Sequence, residues 1–297
     1  MIDKILNLTY YKGSDLYSDG DIEDELLQIV QNNDDYTEVL EKDNRWPILY
    51  HLSPIRENLL EWYDYKKEGS LLEIGSGCGA VSGVFCRKTK RVVGIELSKR
   101  RATINATRNG KYGNLEIMVG NFEDVQLDEK FDYVSLIGVL EYSPLYINSK
   151  TPFEDMIAKT RELLKDDGEL IVAIENKLGL KYLAGAAEDH TGQLFDGVND
   201  YEGITHVKTL SKDEIEDLLK NAGYKNIRFY YPMPDYKMPN VIYSEEYLPE
   251  PGDLRNVVNV FDRERYRTFD EEKVYDQLCK DKKFEYFANS FLIFATK

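Results

Sequence analysis

Short apolar runs alternate with amphipathic stretches through the middle of the chain. Five runs are typical of strands, at residues 71–74, 91–96, 115–119, 131–137 and 169–174. Stretches with helical spacing lie between most of them, at 81–88, 99–109 and 153–165. Mostly apolar strands that alternate with helices pair in parallel through right-handed crossovers. The pattern therefore predicts an α/β protein with a doubly wound, mostly parallel sheet.

Two further apolar runs, at 226–231 and 290–295, bring the predicted sheet to seven strands. A helix is expected before the first of them, with Ser211 as its N-cap and Gly223 just beyond its end. The polar stretch 176–208 precedes this helix and has little periodicity. Loops of that length inside a compact domain are usually lids, binding loops or disordered segments.

The first seventy residues are acidic and predict an N-terminal helical cap. Helical spacing covers 21–30 and 54–63, whereas 32–44 is polar and is expected to be weakly structured. Another long segment separates the last two strands. We therefore divide the chain into a cap (1–69), a core (70–231 with 287–297) and an insertion (232–286) that we expect to cover the substrate.

A glycine-rich loop follows the first strand of the core. Its sequence from Glu73 to Gly79 is EIGSGCG, and Glu96 ends the next strand. Glycines let backbone approach a ligand, a helix N-terminus attracts anions, and an acid about twenty residues later can bind ribose hydroxyls. Two ligands fit. A nicotinamide dinucleotide matches the G-x-G-x-x-A spacing, and S-adenosylmethionine matches the acid before the first glycine and the third glycine.

Six short motifs continue this pattern. They are LEIGSGCG at 72–79, VGIE at 93–96, GNFED at 120–124, FDYV at 131–134, GVLEY at 138–142 and LLKDDGEL at 163–170. On these residues the chain resembles the class I S-adenosylmethionine-dependent methyltransferases, from about Ser70 to Tyr231 and again at the last strand. The resemblance implies a Rossmann-like methyltransferase fold whose last strand is antiparallel, with S-adenosylmethionine as cofactor.

The resemblance also implies roles for single residues. Glu73 would lie near the ammonium group of the cofactor and Glu96 would bind its ribose hydroxyls. Asn121 stands where the family usually has an aspartate near the adenine, and its amide oxygen can still accept that hydrogen bond. The implied cofactor residues are Glu73, Gly75, Ser76, Gly77, Gly79, Glu96, Leu97, Asn121, Phe122, Gly138 and Leu140. For Phe122 and Leu140, core packing explains the residue equally well.

A second resemblance covers the part of the chain after the fifth strand. IENKLGLKYLAG at 174–185, DHTG at 189–192 and FYYPMPDYK at 229–237 look like methyltransferases that accompany bacterial polysaccharide glycosyltransferases. This likeness implies a sugar hydroxyl as acceptor and a glycosyltransferase as a possible partner. The insertion carries Arg255, Arg263, Arg265 and Arg267, which could meet an anionic sugar nucleotide or belong to a charged surface helix.

His190 is the candidate catalytic base, because an alcohol must lose its proton as it attacks a methyl group. It lies on the loop after the fifth strand, at the edge of the sheet where open α/β folds bind ligands. Asp189 or Asp196 could orient the imidazole, and a solvent-facing histidine is the alternative. Asp189, Asp196, Asp200 and Glu202 could hold Mg²⁺, but an acidic loop is more often solvated, so we assign no metal.

Composition narrows the function further. Lys and Arg number 38 against 54 Asp and Glu, a net charge of −16 that disfavours binding to nucleic acid or anionic membranes. The chain lacks the Asn/Asp-Pro-Pro-Tyr/Phe and Pro-Cys motifs of nucleic-acid methyltransferases, and its three cysteines form no metal or disulfide pattern. With no signal peptide or spanning segment, we expect a cytoplasmic protein.

The second resemblance makes sugar O-methylation the favoured activity, and three alternatives stay open. They are N- or O-methylation of a small metabolite, a nicotinamide-dependent oxidoreductase, and a non-catalytic cofactor-binding partner of a glycosyltransferase.

Overall fold

The structure is a computed structural model that describes residues 2–15, 17–257 and 265–297 of the chain. Within these residues lie nine strands: β1 (Leu6–Asn7), β2 (Ser70–Ile74), β3 (Arg91–Glu96), β4 (Leu115–Val119), β5 (Phe131–Ile137), β6 (Leu164–Glu175), β7 (Lys225–Met233), β8 (Val241–Ser244) and β9 (Ser290–Thr296). The α-helices are α1 (Ile22–Asn32), α2 (Thr37–Lys42), α3 (Trp46–Leu52), α4 (Ser82–Lys88), α5 (Lys99–Asn109), α6 (Ser143–Tyr146), α7 (Pro152–Leu163), α8 (Leu180–Leu183), α9 (Lys212–Asn221), α10 (Glu271–Lys280) and α11 (Phe284–Phe287).

The first of two compact units comprises the residues up to Leu136 together with Glu162–Glu169. Its strands follow the order β1-β4-β3-β2-β5, and the first half of β6 comes next. The pairs β1/β4, β4/β3, β3/β2 and β2/β5 are all parallel. Because parallel strands end at the same edge, the glycine loop after β2 and Glu96 at the end of β3 lie at one edge of this unit.

Helices α1 and α3 pack in the same unit against apolar residues of α5 and the glycine loop. Leu26, Ile48, Leu52, Cys78 and Ile104 belong to one buried cluster. Tyr36, Val39 and Leu40 of the α2 region pack on its margin. The N-terminal helices are therefore held by burial of apolar surface rather than by their short sequences.

The second unit comprises Ile137–Arg161 and Leu170–Lys297. The second half of β6 is followed by β9, β7 and β8, and β7 is antiparallel to both of its neighbours. Phe291 to Ala295 of β9 are fully buried. Helix α9 begins with a capping box in which Ser211 and Glu214 satisfy each other's backbone N–H groups.

The predicted α/β fold with its mostly parallel sheet and antiparallel last strand is confirmed. β3, β4, β5 and α5 have the predicted bounds. The count of seven strands is wrong, since β1 and β8 pair at the two ends of the strand order. The two-residue β1 is too short for an alternating pattern, and β8 lies in the Pro- and Tyr-rich segment where we predicted only an insertion.

Two expectations for the N-terminal region need correction. The helix expected over 54–63 is a 3₁₀ helix that ends at Leu59, and Thr37–Lys42 is helical although the polar composition around it predicted little structure. Val39 and Leu40 are partly buried against the apolar cluster that contains Leu26, and this packing supplies the stability that the local sequence lacks. A separate cap over 1–69 is not confirmed, and the division into cap, core and insertion stays a prediction.

The insertion contains β8, α10 and α11. Arg263 lies outside the described residues. Arg265 is nearly buried and pairs with Glu271 at 2.5 Å, so it serves an internal ion pair rather than an open anion site. None of the helices in the described part of the chain has the length and apolarity that crossing a bilayer requires.

Candidate active site

Positive φ angles shape the loop between β2 and α4. Gly75, Gly77 and Gly79 have φ angles of 72°, 52° and 76°, a region that L side chains rarely adopt. The N–H groups of Gly75 and Ser76 both donate to the carbonyl of Ile95. The loop is therefore tied to the end of β3 in a conformation that requires glycine.

A buried hydrogen-bond chain links α5 to the acid of the loop. The Asn109 side chain donates to the Gly79 carbonyl at 3.0 Å and to Asn105 Oδ1 at 2.9 Å. Asn105 donates to Ser82 Oγ at 2.9 Å, and Ser82 donates to Glu73 Oε2 at 2.5 Å. A side chain at Gly79 would collide with both asparagine amides. The chain of bonds fixes the loop and orients the Glu73 carboxyl.

Burial sets the protonation of Glu73. Its removal from water raises the pKa of its carboxyl to about 8, and the nearby Glu96 carboxylate acts in the same direction. The bond from Ser82 acts against this shift but does not cancel it. A cationic group placed here would favour the ionised carboxylate.

Backbone N–H groups hold Glu96 at the end of β3. Its Oε2 accepts from Gly77 N at 2.7 Å and its Oε1 accepts from Ser98 N at 3.0 Å. Leu97 beside it is half-buried. Ser76 Oγ is buried and has no hydrogen-bond partner in the described part of the chain, so a polar atom of a bound ligand or of water is needed to satisfy it.

Residues from the N-terminal segment lie against the same loops. The Asp15 carboxylate accepts from Ser98 Oγ at 2.9 Å and from Lys99 N at 2.7 Å, which caps the start of α5. Tyr10 lies so close to Gly120 that a Cβ there would meet the Tyr10 backbone.

Asn121 and Phe122, the predicted adenine contacts, directly follow Gly120. Asn121 is half-buried, and its side-chain oxygen accepts from Glu123 N at 3.3 Å. Phe122 is buried. In the first unit, the structure thus brings together the predicted cofactor residues on the loops after β2 and β3.

Gly138 and Leu140, the remaining predicted cofactor residues, lie in the second unit. Gly138 has a φ of 67°, and a Cβ there would lie 2.7 Å from the hydroxyl of Tyr236. Leu140 is fully buried, and its carbonyl accepts from Ser143 Oγ at 2.7 Å. Core packing therefore accounts for Leu140 without a ligand.

A turn stabilised by a carboxylate presents His190. Glu188 Oε2 accepts from the N–H groups of His190 and Thr191 at 2.7 and 2.6 Å. The imidazole Nδ1 lies 2.9 Å from the hydroxyl of Tyr142, and Nε2 lies 3.6 Å from Glu175 Oε2. His190 is therefore in a buried polar site rather than facing solvent.

Glu141 completes a group that we call the carboxylate–histidine cluster: Glu141, Glu175 and His190. One ligand atom from each of the three lies within 4.8 Å of the other two. Glu141 is only 1% exposed, and neither of its carboxylate oxygens has a hydrogen-bond partner among the described residues. Such a buried carboxylate is costly unless something else occupies the site.

Asp189 has partners other than the His190 imidazole. It pairs with Lys181 at 2.9 Å and accepts hydrogen bonds from Tyr182 and Lys237. Lys237 also lies 2.7 Å from Glu175 Oε1. Asp189 therefore contributes to a buried ion network around the cluster.

The other acids of the long loop lie apart from this network. Asp200 is exposed and pairs with Lys177 and Lys208, each at 2.8 Å. Asp196 is half-buried and Glu202 is exposed.

The pKa values of the three side chains in the cluster are shifted by burial and by charged neighbours. Burial raises the pKa of Glu141 to about 8, and the adjacent Glu175 carboxylate contributes. Burial would raise the pKa of Glu175 too, but the charges of Lys237 and His190 hold it below its usual range. Burial would lower the pKa of His190, yet Glu175 and Glu141 raise it to about 9.

Sequence reasoning missed Glu141, Glu175, Lys181 and Lys237 as functional residues. All four lie inside motifs that carried the two resemblances, at 138–142, 174–185 and 229–237. The sequence did offer one signal for such a residue, namely a charged side chain at the end of an apolar strand. Glu175 at the end of β6 is an example. The ion pairs between distant segments depend on the fold and have no local pattern.

Comparison with known proteins gives a family and several relatives. A family model described as a methyltransferase domain matches residues 48–228, more than half of the chain. An uncharacterized methyltransferase of Staphylococcus carnosus is 28% identical over 51% of this chain and 70% of its own length. The ubiquinone biosynthesis O-methyltransferase of Pelagibacter ubique is 29% identical over 58% of this chain and 72% of its own length.

Solved methyltransferase structures share this fold, and one of them illustrates the match. It is phosphoethanolamine N-methyltransferase 1 of Haemonchus contortus, solved with phosphoethanolamine and S-adenosylhomocysteine. The match covers 93% of this chain and 48% of that one at 13% identity, with a TM-score of 0.51. At that identity the likeness concerns the fold alone.

Gly79 and Gly113 have similar φ angles and allow a matched test of the loop between β2 and α4. Both have φ near +75°, but a Cβ at Gly113 meets nothing within 4 Å, whereas one at Gly79 meets Asn105 and Asn109. We expect Gly113→Ala to cost about 1–2 kcal/mol of unfolding free energy from the left-handed conformation alone. Gly79→Ala should cost more and weaken S-adenosylmethionine binding, as measured by urea denaturation and calorimetry. Equal effects of the two variants on both quantities would contradict this account of the loop.

The raised pKa of Glu73 predicts a pH dependence of stability. The folded, ligand-free chain keeps the Glu73 proton up to about pH 8, whereas the unfolded chain loses it near the ordinary value of about 4.3. The unfolding free energy should therefore fall as the pH rises between these values. Glu73→Gln removes this contribution, so the variant should gain stability relative to the natural chain between about pH 5 and pH 8.

Urea denaturation of the ligand-free proteins across this range measures the effect. The exposed Glu41→Gln is the control and should show no such trend. A stability difference between Glu73→Gln and the natural chain that does not change with pH would refute the assigned shift.

Proposed function

The chain belongs to the methyltransferase-domain family, whose model covers residues 48–228, and on this premise we propose that it O-methylates a sugar hydroxyl in glycan assembly. The methyl donor is S-adenosylmethionine. The family match decides against the nicotinamide-dependent oxidoreductase that the glycine spacing alone left open.

The residues of the first unit fit this cofactor. The buried Glu73 carboxyl next to Glu96 favours a cationic group such as the ammonium of the methionine part. Ser76 Oγ is buried and needs a polar partner. Gly75, Gly77 and Gly79 place no Cβ on the loop. These features support the predicted cofactor residues of this unit.

The carboxylate–histidine cluster carries the proposal of a hydroxyl acceptor. The Glu141 carboxyl is buried, its pKa is raised to about 8, and its oxygens have no hydrogen-bond partner among the described residues. A hydroxyl group both donates and accepts hydrogen bonds, so it can pair with this carboxyl in either protonation state. A sugar supplies several hydroxyls on neighbouring carbons, which suits a site with more than one buried acceptor.

An amine acceptor fits this site less well. Carboxylates next to an amine favour its protonated form, and a protonated amine has no lone pair with which to attack a methyl group. The O-methylating activity named for the Pelagibacter ubique relative agrees with an oxygen acceptor. O-methylation of a small metabolite is the second candidate and uses the same cluster.

The glycan setting rests on the motifs at 174–185, 189–192 and 229–237. These motifs contribute Glu175, Lys181, Asp189, His190 and Lys237, which pair with one another in the second unit. We propose that the insertion 232–286 helps to bind the acceptor and that a glycosyltransferase is the partner that makes or extends it.

The two predicted catalytic residues have different proposed roles. His190 belongs to the cluster that contacts the acceptor hydroxyl, whose proton must leave as the oxygen attacks. Asp189 is a positioning residue: its ion pairs with Lys181 and Lys237 hold the His190 loop against the segment 233–237.

Methyl transfer from labelled S-adenosylmethionine to a panel of acceptors tests the proposal. The panel contains sugar nucleotides, non-sugar alcohols and amines. We expect label in sugar nucleotides, with kcat reduced about 100-fold or more by Glu141→Gln and by His190→Ala and with unchanged cofactor affinity.

His206→Ala is the matched control, because His206 lies on the same loop and is exposed. It should leave kcat unchanged. Label transferred only to amines would contradict the hydroxyl acceptor, and label only in non-sugar alcohols would leave the small-metabolite alternative. Full activity in His190→Ala would remove His190 from the acceptor site.

A further inference from the structure

We propose that Glu141, Glu175 and His190 bind a divalent first-row metal cation, and that this cation binds the acceptor hydroxyl. The inference goes beyond the expectation from sequence, which assigned no metal. It rests on the proposed function only in its second part, since the cation site can be measured without any acceptor.

Unsatisfied polar atoms mark the site. Both oxygens of Glu141 and Nε2 of His190 are buried and have no hydrogen-bond partner in the described part of the chain. These atoms belong to the same three side chains whose ligand atoms lie within 4.8 Å of one another. Two carboxylates that face each other out of water repel, so a cation between them removes both the repulsion and the lack of partners.

The distances suit one ion after a small contraction. Ligand atoms about 2.1 Å from a first-row dication lie about 3.0 Å apart at right angles and about 4.2 Å apart across the ion. His190 Nε2 and Glu175 Oε2 are 3.6 Å apart. The longest separation in the cluster is 4.8 Å at most, so two ligands this far apart would have to approach by about 0.6 Å to lie across the ion.

The surroundings orient two of the three ligands as metal sites require. His190 Nδ1 lies 2.9 Å from the Tyr142 hydroxyl, which fixes the ring and leaves Nε2 for the cation. Lys237 holds Glu175 Oε1 at 2.7 Å, and Glu175 Oε2 faces His190. His190 and Glu175 are therefore each held through their other polar atom.

Charges in the network leave room for a cation only if protons leave. The ion-paired groups are Glu175, Asp189 and Asp235 against Lys181, Lys237 and His190, three of each sign. A dication bound by Glu141 and His190 would displace the protons of both side chains, because metals bind carboxylate and neutral imidazole.

The ligand types indicate which cation. One imidazole and two carboxylates suit Mn²⁺, Fe²⁺ or Zn²⁺ better than Ca²⁺ or Mg²⁺, which prefer oxygen ligands alone. Three protein ligands leave coordination positions for water or for an acceptor oxygen.

The role of the cation in the reaction follows from the coordination position that the protein leaves open. A hydroxyl bound to the cation loses its proton more readily, and the proton leaves to solvent. The acceptor oxygen then forms a bond to the methyl carbon while the carbon–sulfur bond breaks, and the sulfur keeps that electron pair. The products are a methyl ether and neutral S-adenosylhomocysteine.

Mn²⁺ binding to the chelator-treated, full-length protein tests the site directly. Titration followed by electron paramagnetic resonance should show about one bound Mn²⁺ per chain. Glu141→Gln and His190→Ala each remove a ligand and should weaken binding by at least the 10–100-fold seen when outer partners are lost. Glu202→Gln removes an exposed acid from the same loop and should bind Mn²⁺ as the natural chain does.

Circular dichroism and urea denaturation establish that each variant is folded, and Glu141→Gln preserves the size of the side chain. No saturable Mn²⁺ binding by the natural chain, or equal binding by folded Glu141→Gln, would overturn the proposal. Methyl transfer that persists at full rate in chelator would also overturn the metal's role while leaving the O-methyltransferase intact. Mn²⁺ binding at the cluster without label in any hydroxyl compound would instead refute the proposed function and retain the cation site.

Discussion

Charged side chains that leave water must be matched by opposite charge, and this constraint organises the second unit. Lys181 and Asp189 are almost fully buried and 2.9 Å apart, and Lys237 joins Asp189 to Glu175. Removing one member would strand its partner, at a cost that usually exceeds what the pair contributes. The network therefore fixes the segments after β6 and β7 relative to each other, and with them the loop that carries His190.

Glu141 is an exception to this constraint, because its buried carboxyl oxygens have no hydrogen-bond partner among the described residues. Buried polar groups are nearly always satisfied, so a buried carboxyl without a protein partner indicates that a ligand, an ion or water completes the site. In the first unit Ser76 and Glu73 indicate the same for the cofactor. Each unit thus contains polar groups that the described part of the chain satisfies only in part.

Much of the first unit could be predicted from sequence because its determinants are local. The strands are apolar on both faces, and the glycines of EIGSGCG occupy positions with positive φ. The network of Lys181, Asp189 and Lys237 joins residues from 181 to 237, and its members look like ordinary surface charges in the sequence. The same holds for β1 and β8, whose pairing depends on neighbours far along the chain. The sequence suggested that Asp189 orients the His190 imidazole because the two residues are adjacent. In the structure, Asp189 pairs instead with Lys181 and Lys237.

A crystal structure of the chain with S-adenosylhomocysteine and the acceptor selected from the sugar panel tests the central claim most directly. The account predicts that the reacting oxygen of the acceptor lies at the Glu141, Glu175 and His190 side chains, directly or through one bound cation. An acceptor bound elsewhere in the chain, with these three side chains contacting neither it nor an ion, would contradict the account.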